Sequence, residues 1–153
     1  MLGFSRTKWV GIERPEPNIY LVHGMLEDLI YGMELDIQVK SPELEIASIE
    51  GRMRRVTTPE CPGAMPVLQN AVGLRLDDPE FVSKINRRVG REGCRHFANL
   101  LLECCDAVIR CALYERLQGV PKDSRGREDY LKGRLEDMQF LKGSCRGLTF
   151  GQT

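Results

Sequence analysis

Between residues 33 and 40 the chain alternates strictly, Met33, Leu35, Ile37 and Val39 against Glu34, Asp36, Gln38 and Lys40. A period of two puts one set on a buried face and the other in water, so the stretch predicts a β-strand. Upstream, the apolar run Ile19-Tyr20-Leu21-Val22 lies between Pro17 and Gly24 and predicts a shorter strand. Lys40-Ser41-Pro42-Glu43 reads as a turn, because Pro fixes its own φ and disfavours helix at the residue before it. Leu44 and Ile46 resume the alternation, which turns irregular from Ala47 to Gly51 before Met53 and Val56, a pattern that suits a bulge near Gly51. Residues 1–17 show no clear period and are expected to form an irregular lead-in.

The period then changes. Ala64 to Val72, with Pro66 in its first turn and Gly73 behind it, predicts a short helix. Asp77-Asp78-Pro79-Glu80 supplies a cap, a proline at the first helical position and an acid in the first turn for a second, through Phe81, Val82, Ile85 and Val89 to Gly90. Gly93-Cys94-Arg95-His96 opens the longest periodic segment, whose wide apolar stripe runs from Phe97 through Leu101, Cys104, Cys105, Val108, Ala112 and Leu113 to Leu117. After Gly119 and Pro121, Lys122 to Arg127 reads as a charged loop and Glu128 to Leu141 as a last amphipathic helix. The expected fold class is α+β: an antiparallel sheet of about three strands in the N-terminal half, packed by about four helices in the C-terminal half. Residues 1–153 are expected to form a single domain, since 153 residues suit one core.

Composition narrows the function classes. Lys+Arg 22 against Asp+Glu 22 leaves no net charge, so no nucleic-acid partner is expected from bulk electrostatics. A mean hydropathy of −0.30 and the lack of a long apolar run point away from a membrane. Six cysteines without an apolar leader at the start lead to the expectation of reduced thiols in a cytoplasmic protein. The chain carries no P-loop, G-x-S-x-G, H-E-x-x-H or dinucleotide fingerprint, so the common motif-bearing enzyme classes have no support.

Candidate chemistry centres on cysteine. Gly93-Cys94 at a helix entry sets a thiol near unpaired backbone N–H groups that favour the thiolate, with Arg91 and Arg95 close by and His96 two residues on. Cys61, in Glu60-Cys61-Pro62-Gly63, and Cys145, in Gly143-Ser144-Cys145-Arg146, both fall in segments of loop composition. Cys61, Cys94, His96 and Cys145 together would offer three thiolates and one imidazole, a set suited to zinc or an iron–sulfur centre, although no C-x-x-C pair gives a local chelate. The rival reading is of three unrelated cysteines far apart in space. Cys104, Cys105 and Cys111 lie in the apolar helix, where packing is the better reading. His23, with Glu27 and Asp28 nearby, reads as hairpin polarity. Arg52, Arg54 and Arg55, and separately Arg87, Arg88, Arg91 and Arg95, read as solvated faces or ion-pair partners of nearby acids, since aromatics do not interleave them.

The course from the strand Met33 to Val39, through Arg52-Met53-Arg54-Arg55-Val56-Thr57-Thr58-Pro59-Glu60-Cys61, to Gly93-Cys94-Arg95-His96-Phe97-Ala98-Asn99-Leu100-Leu101, resembles the bacterial domain-of-unknown-function family 2889 over residues of about 18 to 145. The resemblance implies a Pro-x-Cys element at Pro59 and Cys61, a Gly-Cys-x-His helix start at Gly93, Cys94 and His96, and a late cysteine at Cys145, with no assigned activity. A looser likeness is to the U-type iron–sulfur cluster scaffold proteins, from which the chain departs: Pro62-Gly63 follows Cys61 where those proteins have Gly-Asp, and Ser144 precedes Cys145 where they have His. Three functions follow as expectations: metal or iron–sulfur binding in a scaffold role; a thiol enzyme with Cys94 as nucleophile and His96 as base; or a non-catalytic interaction domain, a homodimer through the sheet or a binder of another protein.

Overall fold

The computed structural model describes residues 3–119 and 124–144. Four antiparallel strands, β1 (Arg6–Glu16), β2 (Ile19–Asp28), β3 (Gly32–Lys40) and β4 (Glu45–Arg55), form one sheet in the order β1-β2-β3-β4. Two 3₁₀ turns follow at Cys61–Ala64 and Pro66–Ala71, then a one-turn helix α1 (Phe81–Ile85) that widens into a π turn at Asn86–Arg91. The long helix α2 (Arg95–Arg116) and a further helix α3 (Ser124–Leu135), continued by a 3₁₀ segment at Glu136–Leu141, complete the described chain. The chain divides into two compact units, Met1–Ile109 and Arg110–Thr153. Among the described residues no helix is long and apolar enough to cross a membrane.

The α+β class and the antiparallel sheet are as the sequence predicts, but the sheet has four strands rather than three. The missed strand is β1, within the expected irregular lead-in. It is an edge strand of which only Val10, Gly11 and Ile12 are even partly buried, so its hydrophobic signal is too short to show a period. An edge position also tolerates Pro15, which makes no demand on a second partner strand. Among the described residues the helices number three rather than four. Pro66 leaves Ala64 to Val72 as 3₁₀ turns, and α3 begins at Ser124, inside the stretch read as a charged loop.

Register explains the core. Tyr20, Val22, Gly24 and Leu26 of β2 stand opposite Val39, Ile37, Leu35 and Met33 of β3, all facing one way. That face receives α2 through Phe97, Leu100, Leu101 and Cys104, which are fully buried. Gly24 marks the close approach, because a Cβ there would overlap Cys104 Sγ. The sheet's irregularities in β4 fall at Ala47 and Arg54, where the register shifts; Gly51 itself is in regular register opposite Leu35, so the bulge expected there is displaced. Gly51 is small for another reason: Leu68 and Phe97 pack against its Cα. The arginines of β4 are ion-paired across the sheet, Arg52 with Glu34 and Asp36, Arg54 with Glu34, and Arg55 with Glu27.

Candidate functional site

The β2–β3 hairpin is held by its own sequence. The Asp28 carboxylate accepts hydrogen bonds from the Ile30 and Tyr31 backbone N–H groups at 2.6 and 2.7 Å, and pairs with Arg6 at 2.6 Å. Burial works against its charge, but these donors prevail and hold the carboxyl below its ordinary range. The consequence is a fixed Tyr31, whose ring lies 4.1 Å from the His96 ring, centroid to centroid.

His96 comes from the first turn of α2, and Cys94 from the residue before that helix. The Cys94 N–H donates to Val89 O at 2.9 Å and its carbonyl accepts from Ala98 N–H at 3.0 Å, so Cys94 is the hinge between the π turn and α2. Gly93 allows the entry to pack: a Cβ there would lie 2.9 Å from Val67 side-chain carbons and 3.0 Å from Val89 O. This contact presses the start of α2 against the Pro66–Ala71 turn and thereby brings it beside the preceding turn that carries Cys61.

Cys61, Cys94 and His96 line a single cleft of about 380 Å³, together with Tyr31, Met53, Thr58, Glu60 and Glu92. Cys94 Sγ lies 3.9 Å from His96 Nδ1, the long end of hydrogen bonding to sulfur. Cys61 Sγ has two hydroxyl neighbours, Thr57 Oγ1 at 3.4 Å and Thr58 Oγ1 at 3.6 Å, and its N–H donates to Thr58 O at 3.2 Å. Those hydroxyls lower its pKa to about 7. The pKa of the His96 imidazole is lowered too: partial burial, then the charges of Arg6 and Arg95, favour its neutral form against the pull of Asp28.

Three of the four residues singled out in the sequence therefore share one cleft, and Cys145 lies outside the described residues. The arrangement is not a formed metal centre. Among the described residues no three His, Cys, Asp or Glu side chains are placed to hold one ion together. Sequence alone pointed to Cys94 as the activated thiol; the thiol with two hydroxyl partners is Cys61. The sequence pattern does not single out Tyr31, whereas Thr57 and Thr58, four and three residues before a cysteine, are a signal that a turn could bring hydroxyls to sulfur.

Residues 18–110 match the profile of a protein family of unknown function, DUF2889. The chain belongs to that family. The matched span contains β2 to β4, the whole cleft and most of α2, and stops before Cys145. No curated protein and no solved structure matches the chain, so the likeness to iron–sulfur scaffolds has no support from relatives. Membership in DUF2889 carries no activity with it.

Proposed function

We propose that the cleft binds a thiophilic metal centre, zinc or an iron–sulfur cluster, in a binding or scaffold role rather than in turnover. One observation carries the reading: two thiols and an imidazole, from positions 61, 94 and 96, line the same cleft at the entry of α2. These donor types suit soft and borderline metals. Cys61 is ready as a ligand, since a thiol of pKa about 7 is half ionised at neutral pH. His96, favoured as the neutral imidazole, has the form that ligates. Binding would require rotation of the Cys94 and His96 side chains toward Cys61 and at least one more donor. Cys145 was the sequence-based choice for that donor.

The test is metal content and a spectrum of protein purified without oxygen, followed by titration of the apo form with cobalt(II). The expected result is about one equivalent of metal per chain and thiolate-to-cobalt charge transfer, lost in Cys61→Ser and in Cys94→Ser. Loss in Cys145→Ser would identify the further donor. Less than about a tenth of an equivalent of any metal, with no cobalt spectrum, defeats the proposal.

A second reading has its own observation. The Thr57 and Thr58 hydroxyls make Cys61 a nucleophile at neutral pH, as a thiol enzyme needs. In that case Cys61 is the attacking group, while Cys94 and His96 act as partners. A metal-free protein whose Cys61 is alkylated faster than a free thiol would favour it.

A further inference from the structure

The face of the sheet turned away from α2 holds a separate trough of about 740 Å³, a size typical of small-molecule sites. Its walls follow from register. Gly11, His23, Asp36 and Glu50 stand side by side across all four strands, and Glu13, Leu21, Gln38 and Ser48 form the adjacent row. The trough is lined by residues of both rows and by Trp9.

The charge of this lining is one-sided. Glu13, Asp36 and Glu50 contribute three carboxylates, and no Lys or Arg is among the lining residues. Asp36 and Glu50 are direct cross-strand partners, an arrangement of like charges that disfavours the sheet. Arg52 binds Asp36 and also Glu34, and His23 Nδ1 lies 2.7 Å from Asp36 Oδ1, so Asp36 is held in place. Glu50 and Glu13 have no cation of their own among the described residues.

At the other end of the row stands the chain's single tryptophan. Trp9 is 52% exposed, large for an indole, yet it is not loose. Its ring lies over Gly11, where any Cβ would collide with it, and 5.8 Å from the His23 ring. A half-exposed indole held over a strand in this way can contact a cation or an apolar body.

We propose that this trough is a binding site for a small organic ammonium ion, its charged end beside Asp36 and Glu50 and its carbon body reaching toward Trp9. The distance to be bridged is about two strand spacings, roughly 10 Å. Glu50, opposite Asp36 and without a cation of its own among the described residues, gains from an added cation, and the neutral polar groups Gln38 and Ser48 can take the remaining N–H donors. The site is independent of the thiol cleft, which lies on the α2 side of the sheet.

The experiment uses the full chain and 4-phenylbutylamine, with the uncharged 4-phenylbutanol as control. Trp9 fluorescence reports only on this trough, because no other tryptophan exists. The expected result is a saturable change with the amine, weakened by salt, and about three- to fivefold weaker binding in Glu50→Gln. The exposed Glu50→Gln change is near-isosteric, and an unchanged urea midpoint shows that the variant is folded. By proton NMR the His23 ring resonance moves during the titration, while that of His96, identified with His96→Gln, does not. Equal binding of the alcohol, no saturation by about 10 mM amine, or unchanged affinity in Glu50→Gln would overturn the proposal.

Discussion

Two sets of cysteines, separated by as little as ten positions of sequence, face opposite physical conditions. At the entry of α2, Cys94 shares an open cleft with Cys61; two to three turns along the same helix, Cys104 and Cys105 are sealed against the sheet. Hydroxyl donors lower the Cys61 thiol to about 7, whereas burial, with Glu103 adding to it, pushes Cys104 up to about 12. Cys105 is raised as well, by burial and then by Cys104. One residue type thus lines an open cleft in one place and fills the core as a small hydrophobe in the other. The difference lies in the surroundings, hydroxyl and backbone donors at one site and apolar burial at the other.

The sharpest way to break this contrast is native alkylation mapped by mass spectrometry. At pH 7 about half of Cys61 is thiolate, against about one in 10⁵ of Cys104, and reagent reaches the latter only through opening of the core. In the metal-free protein iodoacetamide should therefore label Cys61 at least about 10³ times faster than Cys104 or Cys105. Denaturant should erase the ratio. Comparable native rates would mean that the core around α2 is not closed.

The next effect separates core from cleft by stability. Phe97 is fully buried against Gly51, one residue from His96. Phe97→Ala should cost about 3–5 kcal/mol in urea denaturation through the cavity it leaves. In the metal-free protein at pH 7, Cys61→Ser, in the first 3₁₀ turn and on an accessible edge, should leave the urea midpoint almost where it was. A large loss from Cys61→Ser would recast that thiol as structural.

How far the sequence could lead is visible in the same residues. The strict alternation from Met33 to Val39 and the stripe from Phe97 to Val108 are long enough to define β3 and α2 unaided, because each buries one whole face. Gly93-Cys94-x-His96 was legible as a helix entry for the same reason. β1 was not, since its burial is confined to the middle of an edge strand. Nor was the partnership of Cys61 with Thr57 and Thr58, which depends on how the chain folds back after β4 at Thr58-Pro59-Glu60-Cys61. His23 shows the limit most plainly: it was read near Glu27 and Asp28 as hairpin polarity, but it lies within β2 and its partner is Asp36, 13 residues away on the neighbouring strand.

A smaller effect tests whether Cys104 is only packing. Gly24→Ala places a methyl group against Cys104 Sγ inside van der Waals contact and should destabilise by about 1–3 kcal/mol. Cys104→Ala removes the obstructing sulfur. The double variant should then be more stable than the sum of the two single changes implies, by about 1 kcal/mol. Strict additivity would show that the two sites do not meet as the register requires.

The subtlest prediction concerns the acidity of Cys61 itself. Replacing both hydroxyls, Thr57→Val with Thr58→Val, should move the midpoint of its alkylation rate from about 7 toward the ordinary thiol value of 9.0. The rate at pH 7 should fall by about tenfold or less, because a less acidic thiolate is also the better nucleophile. The same shift fixes the sign of a stability effect. A thiol that is more acidic when folded stabilises the protein fully above its unfolded pKa and loses that contribution as pH falls through its folded pKa. The wild-type urea midpoint should accordingly rise more between pH 7 and pH 9 than that of the double valine variant. Identical profiles in the two proteins would mean that the threonines do not favour the thiolate, and Cys61 would lose its distinction from an ordinary exposed cysteine.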